Sequence, residues 1–251
     1  MSATSLPART NWPARIGWAG LNTLQLLFTI AITITGFPVA MLLRLAGADP
    51  PLRMAAWYWS PLLFLGAGAR LVVEGADHVD WSKPHVVVCN HQSMIDICAL
   101  FRAVPVPLRF VMKHEMSRMP IVGWYAKAMG MVFIDRGNAR DARGKLLAVA
   151  SIVRDGATVC AFPEGTRSVD GRVAPFKGGA FQLAMAAGAA VLPAAIDGSG
   201  AVLRRSGFAV RPGTIRLCFG TPIETAGLAP DERHALAQRA RDAVVALMRA
   251  R

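Results

Sequence analysis

Residues 86–101 read VVVCNHQSMIDICALF, and this stretch indicates the fold of the chain around it. Its apolar ends predict a buried strand followed by a helix. Polar residues interrupt the apolar pattern at the centre, among them His91, Ser93 and Asp96. Ser93 can cap the helix, and Asp96 follows it by three residues, as in a capping box. His91 would then lie in the tight loop between the strand and the helix.

The separation of His91 and Asp96 restricts how the two side chains can meet. On one helix, residues five apart point about 140° away from each other. The side chains therefore meet only if His91 lies outside the helix and folds back over its first turn. Asp96 could then accept a hydrogen bond from one ring nitrogen and leave the other free to take a proton from a hydroxyl group. The alternative is structural: Ser93 and Asp96 only cap the helix, and His91 is an ordinary loop residue.

Beyond Arg70, short β-branched runs alternate with helical stretches. This order predicts an α/β fold, a largely parallel mixed sheet flanked by helices. In such a sheet, the loops at the carboxyl ends of the strands carry the functional site. The predicted strands are 71–75, 85–90, 109–113, 131–136, 157–162, 190–196 and 214–220. The predicted helices are 93–103, 118–129, 140–154, 178–188 and 231–249.

The amino-terminal part has a different composition. Residues 16–43 contain no charged side chain, and the run is longer than the roughly 20 residues that a membrane helix needs. A second uncharged run, residues 54–69, contains a cluster of aromatic residues of the kind found at membrane interfaces. We therefore expect a membrane-embedded helical segment within residues 1–69, followed by an α/β domain over residues 70–251.

Gly36 and Pro38 lie near the middle of the first apolar run. Because proline usually kinks or breaks a helix, the run forms either one tilted span or two shorter helices that enter one leaflet and return. The re-entrant pair is favoured because it keeps the basic residues on both sides of the run at the same anionic surface. These basic residues are Arg9, Arg15, Arg44 and Arg53.

The formal net charge of +12 predicts an anionic partner: nucleic acid, an anionic membrane or a phosphorylated substrate. The chain has no zinc-finger spacing and no basic helix with base-reading polar residues, so we expect no nucleic-acid partner. The cysteines are scattered and form no Cys-x-x-Cys motif, which predicts reduced core thiols in a protein that faces the cytosol. They are Cys89, Cys98, Cys160 and Cys218.

A second polar motif, FPEGTRS at residues 162–168, directly follows a predicted strand. Gly165 favours a turn, Glu164 and Arg167 bring opposite charges, and Thr166 brings a hydroxyl group. The guanidinium group of arginine suits bidentate binding of phosphate. The alternative is a surface turn with a weak ion pair.

Two further segments are weaker signals. GMVFIDRGN, residues 130–138, places Arg136 at the end of a predicted strand, beside Gly137, where it could contact an anion. VLPAAI, residues 191–196, has a proline inside a predicted strand, which is typical of an edge strand or a bulge. Each of these segments could also be purely structural.

Together and in this order, the four motifs resemble the sequence blocks of the glycerolipid acyltransferases, specifically the 1-acyl-sn-glycerol-3-phosphate (lysophosphatidic acid) acyltransferase family. The blocks are NHQSMID, GMVFIDR, FPEGTRS and VLPAAI. KHEMSRMPIVG, residues 113–123, is similar to the family's lysine-then-proline-glycine segment. The resemblance covers residues 70–220 and departs from the family pattern at Ala194, where valine is common. It implies a glycerol-3-phosphate acyltransferase-like fold.

The resemblance implies that His91 is the general base on the acceptor's free hydroxyl group and that Asp96 orients and stabilises the imidazolium. The hydroxyl group would attack the thioester of acyl-CoA or of acyl-carrier protein directly, without a metal or another cofactor. Backbone N–H groups near the start of the first helix of the domain would stabilise the oxyanion. The acceptor's phosphate would be held by Lys113, Arg136, Glu164, Gly165, Thr166 and Arg167.

The implied reaction converts 1-acyl-sn-glycerol-3-phosphate into phosphatidic acid, a step of phospholipid biosynthesis at a membrane. We expect the protein on the cytoplasmic face of a bacterial inner membrane, among anionic lipids. The same blocks also serve glycerol-3-phosphate, other lysophospholipids and lyso-ornithine lipid as acceptors. A serine hydrolase lacks support because no G-x-S-x-G occurs, and a metal hydrolase because the histidines are dispersed. A non-enzymatic membrane-binding scaffold is the alternative of another class.

Overall fold

The structure is a computed structural model that describes residues 12–119, 122–134 and 139–250. Its strands are β1 (Ala69–Glu74), β2 (His85–Cys89), β3 (Leu108–Lys113), β4 (Val132–Ile134), β5 (Thr158–Ala161), β6 (Ala190–Asp197) and β7 (Gly213–Phe219). They form one sheet in the order β1-β7-β6-β2-β5-β3-β4. The pairing of β6 with β7 is antiparallel, and the other pairs of neighbours are parallel. The predicted largely parallel mixed sheet is confirmed.

The helices are α1 (Trp12–Arg44), α2 (Asp49–Met54), α3 (Ser60–Ala67), α4 (Ile95–Ala103), α5 (Val122–Ala128), α6 (Ala139–Arg154), α7 (Gly179–Ala187), α8 (Ser199–Val202) and α9 (Arg233–Arg249). A turn of π-helix, Ala55–Trp59, joins α2 to α3. The five predicted helices correspond to α4, α5, α6, α7 and α9. Helix α5 is shorter than predicted at both ends, and Arg118 belongs instead to a separate 3-10 turn, His114–Arg118.

Helices cover both faces of the sheet, and β2 is buried along its whole length. Its side chains alternate between two hydrophobic clusters, because successive residues of a strand point to opposite faces. Val87 and Cys89 pack in the cluster that contains residues of α3 and α4. Val86 and Val88 pack in the cluster that contains residues of α6, α7 and α9. The carboxyl end of β2 is therefore held in position from both sides.

Asn90 follows β2 directly, and its side-chain amide bonds to β6 in the way that a strand backbone would. The side chain is buried; its Nδ2 donates to the carbonyl oxygen of Ile196 at 2.9 Å, and its Oδ1 accepts from the N–H of Ile196 at 2.8 Å. Ile196 pairs with Leu217 of β7 in an antiparallel ladder, so its own N–H and carbonyl group point to the same side, toward Asn90. The amide of Asn90 thus extends the parallel pairing of β2 with β6 beyond Cys89, on the side of β6 opposite to β7.

Helix α1 is continuous through Gly36 and Pro38, so the predicted pair of short helices within residues 16–43 is wrong. Packing on both sides of the proline supports the helix. A Cβ atom at Gly36 would lie 3.1 Å from Met54, so the missing side chain allows α2 and the π-helical turn to approach closely. The chain does turn back, but only after Arg44: the indole N–H of Trp59 donates to Thr33 at 3.1 Å.

By length and composition, Ile16–Arg44 is long and apolar enough to cross a membrane. The helix nevertheless contacts the α/β domain near both of its ends. Asn22 accepts a hydrogen bond from the N–H of Val210 at 2.8 Å, and the rings of Phe37 and Tyr125 lie 5.8 Å apart. At about 1.5 Å per residue, these two contacts are separated by roughly 22 Å along the helix axis. Helix α1 therefore lies along the domain.

We expect Asn90→Leu to lower the free energy of unfolding by about 2–4 kcal/mol. The leucine side chain leaves the N–H and the carbonyl group of Ile196 buried without partners, and each unsatisfied group costs about 1–3 kcal/mol. Thermal unfolding followed by circular dichroism in mild detergent measures the change. Gln182→Leu, at an exposed position of α7, is the control and should shift stability by less than about 0.5 kcal/mol. A near-native stability of Asn90→Leu would contradict the bridging role.

Candidate functional site

The site lies at the carboxyl edge of the sheet, where β2 has β6 and β5 as its neighbours. All three strands run parallel, so their carboxyl ends reach the same edge. Residues 90–93 follow β2, and residues 162–168 follow β5. The two polar motifs that the sequence places far apart therefore meet as adjacent loops.

Asp96 holds the loop that carries His91. Its Oδ2 atom lies 2.7 Å from Nδ1 of His91 and accepts the backbone N–H groups of Gln92 at 2.7 Å and of Ser93 at 2.8 Å. The Asp96 side chain is fully buried, whereas 13% of the His91 side chain is exposed. Oδ2 therefore acts as the acceptor for all three of these groups. A proton on Nδ1 then leaves Nε2 as the acceptor nitrogen.

The loop reaches this geometry in the way that the five-residue spacing requires: His91 precedes α4 and folds back over its first turn. Ser93 plays a different part from the predicted cap. Its hydroxyl group donates to the carbonyl oxygen of Leu203 at 2.7 Å, and only a long contact of 3.4 Å joins it to the N–H of Ile95. Ser93 thus ties the loop to the segment after α8, while Asp96 satisfies the N–H groups of the loop.

Phe162 fixes the plane of the His91 ring. The two rings stack with their centroids 3.9 Å apart and an angle of 13° between their planes. Because Phe162 is the first residue after β5, this contact joins the two loops directly. The aspartate sets the tautomer of the imidazole, and the phenyl ring limits its rotation.

Glu164 joins the same two loops through its carboxylate. One oxygen accepts the N–H of His91 at 2.7 Å, and the other accepts the N–H of Ala174 at 2.9 Å. The side chain is buried, and burial raises the pKa of this carboxyl group above its usual range, although both backbone hydrogen bonds act in the opposite direction. Both oxygens are already engaged, so Glu164 positions the loop and its side chain offers nothing to an anion.

The remaining residues of this loop face outward. Gly165 has a φ of +77°, a left-handed conformation that glycine adopts without strain. Thr166 is exposed, and its hydroxyl oxygen lies 3.5 Å from a guanidinium nitrogen of Arg205. Arg167 is half-buried and lines a cavity of about 270 Å³ together with Arg204, apolar residues of α3 and α4, and Gln25 and Thr29 of α1. The pattern of the sequence gave no reason to connect Arg204 and Arg205 with the site.

Two predicted anion-binding residues, Lys113 and Arg136, lie outside the FPEGTRS loop. Lys113 ends β3 at the same edge of the sheet, and its ammonium group forms an ion pair with Glu115 at 2.8 Å. Because both side chains are exposed, the ion pair is weak, and the Lys113 ammonium group can leave Glu115 to bind another anion. Arg136 lies outside the described residues, and its role stays a prediction.

The backbone N–H groups at the start of the first domain helix were predicted to stabilise an oxyanion. Two of them, those of Gln92 and Ser93, already donate to Asp96, which removes them as free donors. The four cysteines are buried free thiols, and burial raises the pKa of Cys98 to about 12, which disfavours a thiolate nucleophile. Within residues 12–119, 122–134 and 139–250, no group of three or more histidine, cysteine or acidic side chains could hold a metal ion.

Comparisons with known sequences point to one family. A sequence model of the Acyltransferase family matches residues 70–197. Human 1-acyl-sn-glycerol-3-phosphate acyltransferase alpha is 33% identical over 183 residues, which are 72% of this chain and 65% of the human protein. The 1-acyl-sn-glycerol-3-phosphate acyltransferase of Saccharomyces cerevisiae is 28% identical over 73% of this chain and 60% of the yeast protein. The matched part of the chain thus spans just under two thirds of these relatives.

A solved structure is similar over almost the whole chain. The crystal structure of the 1-acyl-sn-glycerophosphate (LPA) acyltransferase PlsC from Thermotoga maritima superimposes with a TM-score of 0.77 at 26% sequence identity. The match covers 93% of this chain and 98% of the Thermotoga chain. It therefore includes the amino-terminal helices as well as the α/β domain.

We expect Glu164→Gln to lower the free energy of unfolding by about 1–3 kcal/mol, because the amide NH₂ faces a backbone N–H that loses its buried acceptor. Urea unfolding followed by tryptophan fluorescence measures the change. Glu232→Gln is the matched control: Glu232 accepts one backbone N–H at an exposed position, so its amide oxygen can replace the carboxylate. An equal or higher stability of Glu164→Gln would show that relief from burying the charge outweighs the lost acceptor.

Proposed function

The chain belongs to the Acyltransferase family, and we propose that it transfers a fatty acyl group to the sn-2 hydroxyl of 1-acyl-sn-glycerol-3-phosphate, giving phosphatidic acid. The donor would be the thioester of acyl-CoA or of acyl-carrier protein. The observation that carries the proposal is the 2.7 Å contact between His91 Nδ1 and the buried Asp96 carboxylate at the carboxyl edge of the sheet. The relatives that bear this activity in their names support the choice of acceptor.

In the proposed reaction, Nε2 of His91 takes the proton from the acceptor's hydroxyl group. The oxygen attacks the carbonyl carbon of the thioester, and Asp96 stabilises the imidazolium that forms. When the tetrahedral intermediate collapses, the C–S bond breaks and the imidazolium returns its proton to the leaving thiolate. A thioester is already activated, so a positioned base that contributes about 10²–10⁴-fold, together with the alignment of the reactants, can supply the rate.

The acceptor's phosphate would lie beside the FPEGTRS loop. Arg167 supplies the charge, Thr166 a hydroxyl group, and the turn at Gly165 lets the backbone approach the anion. Arg136 and Lys113 are further candidates from the sequence. Glu164 contributes by positioning this loop against His91, since both of its oxygens accept backbone N–H groups.

Other acceptors fit the cavity and the arginine less well, and the non-enzymatic alternative leaves the geometry of the site unexplained. Glycerol-3-phosphate has no chain to fill the apolar cavity of about 270 Å³ beside Arg167, and a lyso-ornithine lipid has no phosphate. A scaffold gains nothing from a buried carboxylate that orients a partly exposed imidazole. A phosphorylated single-chain lipid matches both the cavity and the arginine.

Helix α1 would seat the enzyme in one leaflet of the membrane. Because α1 contacts the α/β domain near both of its ends, its outer face can meet lipid only from the side. This face carries large exposed apolar residues, including Ile16, Leu24, Leu27 and Leu42. Basic residues of the chain favour the anionic cytoplasmic surface, where a lipid acceptor arrives by lateral diffusion.

We expect His91→Ala to lower kcat by roughly 10²–10⁴-fold without unfolding the protein, because it removes the base. Asp96→Asn should lower kcat while one oxygen remains to accept the N–H groups of the loop. The assay follows labelled acyl-CoA and acyl-carrier protein against lysophosphatidic acid, with circular dichroism as the test of folding. His78→Ala, at an exposed histidine, should behave as the parent protein. Turnover of His91→Ala near the parent value would refute the mechanism.

Cysteines introduced at Gly17 and Arg44, toward the two ends of α1, would report its position, since both residues are exposed and the four native cysteines are buried. We expect an impermeant maleimide to label both from the cytoplasmic side of membrane vesicles. Val169→Cys, an exposed position of the α/β domain, marks that side. Labelling of one of the two helix positions only from the opposite side would establish a span instead.

A further inference from the structure

We propose that Arg204 and Arg205 complete the phosphate site: together with Arg167 they form a clamp for the phosphomonoester of the lipid acceptor. This inference rests on the proposed function and extends it to residues outside the four sequence motifs. Both arginines belong to the segment between α8 and β7, which the chain reaches more than thirty-five residues after Arg167. We name residues 203–210 the arginine loop.

The arginine loop lies against the FPEGTRS loop. Arg205 Nη2 is 3.5 Å from the hydroxyl oxygen of Thr166. Arg204 and Arg167 line the same cavity, whose apolar wall includes Ile95 and Cys98 of α4. Helix α4 begins directly after the loop that carries His91. Two arginines therefore line a largely apolar cavity next to the helix that follows the His91 loop, and Arg205 reaches the neighbouring Thr166. This arrangement matches a phosphate attached to a fatty chain.

Within residues 12–119, 122–134 and 139–250, no carboxylate neutralises the charges of this cluster. Across the part of the chain that the structure describes, neither Arg167, Arg204 nor Arg205 forms an ion pair with a carboxylate. Arginines elsewhere do so: Arg109 pairs with Asp49 at 2.8 Å, and Arg216 pairs with Glu74 at 3.5 Å. Unpaired like charges that converge on one cavity repel each other, and a bound anion removes the repulsion.

The arginine loop is held at both ends by elements that matter for catalysis at a membrane. At its start, the carbonyl oxygen of Leu203 accepts the hydroxyl group of Ser93, two residues after His91. At its end, the N–H of Val210 donates to Asn22 of α1. An isolated bridge between Leu203 and Val210 closes the loop. The guanidinium groups are therefore placed between the catalytic loop and the helix that would meet the lipid.

The clamp predicts which headgroup the acceptor carries. A phosphomonoester has three terminal oxygens and close to two negative charges at neutral pH, and arginine binds such a group through paired hydrogen bonds. A phosphodiester headgroup has fewer free oxygens and less charge. Several arginines at one cavity therefore select lysophosphatidic acid over lysophospholipids with a larger headgroup.

The test uses Arg204→Ala, Arg205→Ala and the double variant. The control is Arg216→Ala, an arginine of β7 that pairs with Glu74. We expect each single variant to raise the KM for micellar lysophosphatidic acid about tenfold, with little change in kcat or in the KM for acyl-CoA. The double variant should also lose discrimination against lysophosphatidylcholine. Arg205→Lys should restore part of the affinity, because it keeps the charge without the paired donors.

A binding measurement separates this inference from the proposed function. Calorimetric titration with dodecyl phosphate, which cannot react, should show tight binding to the parent protein and about tenfold weaker binding to each variant. Weakened binding in a protein that acylates no acceptor would support the clamp and refute the function. An active parent whose variants keep their acceptor KM would refute the clamp alone. Variants that lose binding to anionic vesicles but keep their micellar KM would show that these arginines contact the bilayer instead, which also overturns the proposal.

Discussion

The buried carboxylate of Asp96 organises the whole site. Taking an ionised group out of water is costly unless donors surround it, and here one oxygen accepts the His91 ring and two backbone N–H groups. These three bonds oblige residues 91–93 to curl over the start of α4, and the same curl leaves the outer nitrogen of the imidazole available. Folding of the loop and orientation of the imidazole are thus one event, and the structural role of Asp96 is compatible with the functional role proposed for it.

Glu164 repeats this arrangement from the neighbouring strand. Its two oxygens accept backbone N–H groups from two separate segments, one of them that of His91 itself. The carboxylates of Asp96 and Glu164 therefore organise backbone, and their negative charge is turned inward. In the FPEGTRS loop the residues that reach outward are neutral or cationic, among them Thr166 and Arg167. A site for an anion results from this separation of charges, since the carboxylates that would repel the anion are engaged with the chain.

The sequence predicted the features that arise from local patterns. Each of the seven strands was indicated by a short β-branched run, and the spacing of His91 and Asp96 at a strand–loop–helix junction allowed their contact as one of two alternatives. Features that depend on packing were missed. Pro38 was expected to break α1, but the fit of Gly36 against α2 and the following turn supports a continuous helix. Arg204 and Arg205 belong to no motif, and only the path of the arginine loop brings them to Thr166 and Arg167.

The hydrogen bond between Asn22 and Val210 connects α1 directly to the arginine loop. Through this bond, α1 would do more than attach the protein to a membrane. If α1 lies in the interface, the position of Asn22 relative to the lipid surface is set by the apolar residues around it on the same helix. The bond to Val210 transfers this position to the arginine loop, and the bond from Ser93 to Leu203 transfers it to the loop of His91. The depth of the helix in the leaflet would thereby set the height at which the arginines and His91 meet a lipid. Lipid headgroups occupy a narrow layer, so a rigid connection of this kind would align the proposed acceptor with the site before any contact is made.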